Sequence, residues 1–205
     1  MFKNLLVTAV AAPLFFAVFS ASAATYSFTN ITNNSGIDLS DQLLVDVTWD
    51  ASTVYFKFTN NTFNNDVSSV GQIYFDIGTS SLTNMAIFAE NGVDFSIGAN
   101  PSELPGGNTI SFVSEFQFGA VKPAPKNGIA DSSDYLTISG TGNLASITTA
   151  LSSGTFRIGM HVIALADGNS DGYVTTVPVP AALPLMASAL GIFGLARRRN
   201  TSKAA

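Results

Sequence analysis

Residues 24–176 predict an all-β domain, an antiparallel β-sandwich or jelly-roll-like body, and three observations carry that expectation. Apolar residues recur at every second position over many short runs, the spacing of half-buried strands. Clusters of Asn, Gly, Ser and Pro separate the runs. The chain also holds 16 phenylalanines, most of them in this stretch, and large rings fill the space between two packed sheets.

The strands follow in chain order. Leu43, Val45, Val47 and Trp49 share one face, while Leu44, Asp46, Thr48 and Asp50 share the other. Val54, Phe56 and Phe58 alternate with Tyr55 and Lys57, and the short polar link Asp50-Ala51-Ser52-Thr53 predicts a hairpin between the two runs. Further strands are expected at Ile73-Phe75-Ile77, at Met85-Ile87 with Phe88, and at Val93-Phe95-Ile97. The longest is expected where Ile110, Phe112, Phe116 and Phe118 alternate with Ser111, Glu115 and Gln117. Tyr135 to Ser139 and Phe156-Ile158-Met160-Val162 complete the set. Leu144, Ile147 and Leu151 alone have helical spacing.

Charge divides the chain as hydropathy does. Only 11% of residues are charged, and apolar blocks lie at 5–19 and 181–196. All 14 acidic residues fall between Asp38 and Asp171, against four basic ones (Lys57, Lys122, Lys126, Arg157), a formal charge of −10 for the body. Such a field repels phosphate backbones, so nucleic acid is not an expected partner. With no cysteine, stability rests on the packed core, and thiol chemistry and Cys-ligated zinc are excluded.

Residues 1–23 read as a signal peptide. Lys3 precedes an apolar run from Leu5 to Phe19, and Ala21-Ser22-Ala23 supplies the small residues a signal peptidase requires, Ala21 and Ala23 preceding a cleavage expected after Ala23 or Ala24.

The body offers few catalytic groups. Its single histidine, His161, shares a strand face with Arg157, opposite Phe156, Ile158, Met160 and Val162, and reads as an ordinary sheet residue. Glycoside hydrolysis needs two carboxylates across a cleft. Glu115 is placed mid-strand beside Gln117, with no matching partner. Asp167, Asn169 and Asp171 have the spacing of the first half of a calcium loop, but Pro178 stands where the last carboxylate belongs. No metal or cofactor is expected, with calcium at those three residues as the lesser alternative. Tyr55, Tyr74 and Tyr135 lie on polar faces where a ring could stack on a sugar.

The C-terminal segment, 177–205, is the most specific. Val177-Pro178-Val179-Pro180-Ala181 holds the chain extended. Residues 181–196 follow as an apolar run, about 24 Å long as a helix, and Arg197, Arg198 and Arg199 form a basic stop that remains cytoplasmic. The three elements in this order resemble the PEP-CTERM sorting signal of Gram-negative bacteria, in its VPLPA-like variant; Val179 occupies the position that is Glu in the commoner form. The resemblance covers residues 177–199 and implies an exosortase that removes or exchanges the tail, and a link with exopolysaccharide and biofilm.

The expected function is therefore that of an exported, exosortase-sorted, non-enzymatic protein of the cell surface or extracellular matrix. The membrane would hold it through the single C-terminal helix before processing, and signal peptidase and exosortase would process it. The alternatives are a surface glycoside hydrolase or lyase using Glu115, and a calcium-dependent adhesive or carbohydrate-binding module.

Overall fold

A computed structural model describes residues 24–62 and 67–176 of the chain. The signal peptide, the motif at 177–181, the helix expected at 181–196 and the Arg197–Arg199 stop all lie outside the described residues. Among the described residues no helix is long and apolar enough to cross a membrane.

Period-two alternation builds most of the chain. Strand β1 is Ala24–Asn30, and the expected hairpin forms between β2 (Leu43–Asp50) and β3 (Thr53–Asn60), with Asp50 opposite Thr53 across the Ala51-Ser52 turn. After β4 (Ser69–Asp76) come β5 (Thr83–Asn91), the short β6 (Phe95–Ile97) and β7 (Phe116–Ala120). A single turn of helix, α1 (Ala124–Asn127), precedes β8 (Tyr135–Thr141). Helix α2 (Leu144–Ser153) forms where the 3.6 spacing falls, burying Ile147 and Leu151. Asn143 caps it by accepting from the Ser146 backbone N–H at 3.0 Å, and Gly154 ends it at φ 74°. The last strands are β9 (Arg157–Ile163) and β10 (Asp171–Thr175).

All named strand pairs are antiparallel and form one sheet in the order β5-β8-β3-β2-β1-β10-β9-β4-β7-β6. Strand β1 is the corner: Ala24–Ser27 pair with β2, whereas Phe28–Asn30 pair with β10. The sheet folds over at this corner and nearly closes, its two edge strands approaching each other. The inner faces of the two halves meet in one core. Phe56 on β3 lies 5.2 Å from Phe75 on β4 and 6.0 Å from Phe156, and Phe75 lies 6.0 Å from Phe118 on β7. These edge-on contacts add about 0.5–1.5 kcal/mol each to the apolar burial. Among the described residues every strand is paired, and one main core lies between the two halves of the sheet.

Two expectations are corrected. The run from Ile110 to Phe118 is not one strand: Gly107–Ile110 form a 3₁₀ turn, Ser111 takes φ 52°, and pairing begins only at Phe116. Phe112 and Leu104 instead pack onto Tyr74 and Val174, on the outer side of β4 and β10. Residues 99–113 therefore cover a face expected to meet solvent, and β4 is buried along both sides. Small residues in the sheet permit this. A Cβ at Gly172 would meet the Pro105 carbonyl oxygen at 2.1 Å, and one at Gly159 would meet the Leu104 side chain at 2.7 Å. Strands β1 and β10 are the second difference: neither is among the expected strands, and Asp171, which has calcium-loop spacing, starts a central strand.

Candidate functional site

The covered face fixes the position of several residues singled out from the sequence. Tyr74 is fully buried there, its hydroxyl donating to the Pro101 carbonyl at 2.7 Å, so it is no stacking surface. Arg157 crosses the same face. Its guanidinium bonds the Asp76 carboxylate and donates to the carbonyls of Ile110 and Ser111, both at 2.7 Å, and it lies 5.3 Å from the Phe112 ring centre. Glu115 falls before β7 in place of a mid-strand position, because the expected strand is broken. Its carboxylate accepts from the Ile77 backbone N–H at 2.8 Å. The depression it borders, with Met85, Ile97 and Phe118, has no second carboxylate among the described residues.

His161 sits on β9 with Arg157, as expected, but beneath cover; its Nδ1 lies 2.5 Å from the Gln72 side-chain oxygen. Burial holds its pKa below the usual 6.5, opposed in part by the charge of Asp171. Sequence reasoning missed that Gly168-Asn169-Ser170-Asp171-Gly172 has the Gly-x-Ser-x-Gly spacing of a nucleophile elbow. That elbow joins a strand to a helix, whereas here a turn leads into β10, and the bond of His161 goes to Gln72.

Two of the three calcium candidates bond each other, and the third is engaged elsewhere. Asp167 accepts from the backbone and side-chain nitrogens of Asn169 at 3.0 and 2.7 Å. Asp171 is fully buried and holds the 32–35 loop, accepting from Thr32 Oγ1 at 2.6 Å, Ser35 Oγ at 2.5 Å and the backbone N–H groups of Asn34 and Ser35. Burial pushes its carboxyl up, but these hydrogen bonds outweigh that and leave it below 3.8.

The uncovered outer face of β2, β3, β8 and β5 gathers a different set. Tyr55, Lys57, Asp46 and Thr48 project here by alternation, with Tyr135 and Thr137 from β8. Strand β5 adds Phe88, which alternation sets opposite the core-facing Met85 and Ile87. Its register on β8 shifts between Ile87 and Ala89, so Phe88 is the extra residue of a bulge. Its ring stands 62% exposed, 4.7 Å from Tyr55 in an edge-on contact. Beside it the Lys57 ammonium lies over the Tyr135 ring at 4.6 Å. Asp46, Thr48, Tyr55, Lys57, Phe88 and Thr137 line one open depression of about 450 Å³.

No protein-family model, no curated protein and no solved structure matches the chain.

Proposed function

We propose that the chain is an exported, exosortase-sorted and non-enzymatic protein of a Gram-negative cell surface or extracellular matrix. The observation that carries this reading is the order of segments along the chain. A leader with small residues at Ala21 and Ala23, an acidic β body, the Val177–Ala181 motif, an apolar run and Arg197–Arg199 follow one another without overlap. The folded-over sheet is read as a jelly-roll-like sandwich, supported by the opposed inner faces of its halves.

Signal peptidase removes residues 1–23, and the exosortase acts near Val177 while the Arg cluster stays in the cytoplasm. The non-enzymatic part of the reading is supported by the bond of His161 to Gln72 and by Glu115 being spent on the Ile77 backbone. Cell fractionation tests the whole. The parent chain is expected in the envelope or medium, and a chain ending at Thr176 is expected to lose its envelope-bound fraction. An untruncated parent confined to the cytosol would contradict the proposal.

A further inference from the structure

We propose that the outer face of β2, β3, β8 and β5, centred on Tyr55, Phe88 and Lys57, binds a neutral polysaccharide chain. The inference deepens the matrix reading above and rests on it only for where such a chain is met.

Phe88 is the starting point. A large ring at 62% exposure is unfavourable in water, and alternation sets it on the solvent side, next to the inward-facing Ile87 and within the bulge at Ile87–Ala89. It does not stand alone, since Tyr55 two strands away meets it edge-on. Together they form an apolar ledge on a face otherwise made of hydroxyls and charges. A pyranose ring has the complementary chemistry. Its axial C–H groups make one face apolar, and its hydroxyls point outward to donors and acceptors around the rim.

The rim supplies both. The Asp46 carboxylate accepts, Thr48 can do either, and the Lys57 ammonium donates. Lys57 is held by the Tyr135 ring and Asp46 by the Thr25 hydroxyl at 2.5 Å, so both polar groups are ordered before a ligand arrives.

Charge and size select among occupants. One carboxylate and one ammonium balance at the site, while the body carries a formal −10, so an anionic polymer gains nothing locally and is repelled at range. Six lining residues fall short of the roughly 20–30 a side that a stable protein interface uses. The depression is open to solvent, which suits a chain passing over it.

The test uses the full chain, in a detergent without a sugar head group, in native gels cast with dissolved mixed-linkage glucan, dextran, galactomannan or, as the anionic comparison, alginate. At least one neutral polymer is expected to retard the chain. Phe88→Ala and Tyr55→Ala are each expected to weaken that binding about tenfold. Ile97→Ala, at an exposed apolar residue on β6, is expected to leave it unchanged. Phe88→Ala keeps the fold because the ring is outside the core, and an unchanged melting temperature verifies that. Retardation by no neutral polymer, by alginate alone, or equally for Phe88→Ala and the parent overturns the proposal. So does a Phe88-dependent dimer in place of glycan binding. A sorted protein that binds nothing defeats this inference alone, whereas a glycan-binding body that is never exported defeats only the sorting reading.

Discussion

Thr176 donates its backbone N–H to the carbonyl of Ser27 at 2.9 Å, and the two hydroxyls lie 3.1 Å apart. The end of the folded unit is thereby fastened to its first strand. Since β1 and β10 run antiparallel as neighbours, the chain enters and leaves the domain at one pole. A leader at one end and a sorting helix at the other would then tether the body from the same side.

This arrangement fixes where truncation is tolerated. A chain ending at Thr176 is expected to melt within about a degree of the mature form. One ending at Ser170 loses β10, which lies between β1 and β9 in the middle of the sheet, and is expected to be unfolded by circular dichroism. A cooperative melt of the shorter chain would contradict the topology.

Arg157 and Asp76 pin the covering segment to β4 and β9. Arg157→Ala leaves the Asp76 carboxylate, 6% exposed, with only the Val113 N–H at 3.3 Å, and is expected to lower stability by about 3–5 kcal/mol. Adding Asp76→Asn is expected to recover part of the loss in denaturant titrations, because the stranded charge is gone. Additive losses would show that the pair does not act as a unit.

Stability falls toward acid in two stages. His161 and Asp171 both bind protons less readily folded than unfolded, so the contribution of each is complete above its unfolded pKa. It declines as pH drops below 6.5 for His161 and then below 3.8 for Asp171. Thermal melts between about pH 8 and pH 3 should show both stages. His161→Gln should remove the upper stage only, and Asp171→Asn should cost roughly 1–3 kcal/mol at neutral pH. A gain in stability as pH falls from neutrality to about 5 would contradict a His161 held neutral by burial.

Calcium is expected to leave the melting temperature unchanged. Both Asp171 oxygens already accept hydrogen bonds from the 32–35 loop, and recruiting them to a cation would release that loop. Binding at a hundred times Kd would add about 2.7 kcal/mol, easily seen in a melt, so a clear upward shift at millimolar calcium would revive the loop as a site.

The β2–β3 hairpin and α2 were legible because each has one buried face, and burial on one face imposes a period that sequence displays. Strand β4 was legible only in part. Gln72, Tyr74 and Asp76 alternate like a solvent face, and what buries them is a segment more than twenty residues later. That same segment imitated a strand because Ile110 and Phe112 keep a period of two while serving a 3₁₀ turn and a loop. The ring pair at the candidate site was hidden for another reason. Alternation sets both rings outward, but their meeting depends on β5 and β3 flanking β8, an order in the sheet that spacing along the chain does not display.

In the proposed sorting, the two apolar ends would be addresses and the acidic β body what they deliver. Mass spectrometry of the mature protein recovered from the envelope or medium tests it most directly. The expected polypeptide begins at Thr25 or Ala24 and ends close to Val177, without Arg197–Arg199. A single species of full mass, with Met1 and Ala205 both present, would contradict it.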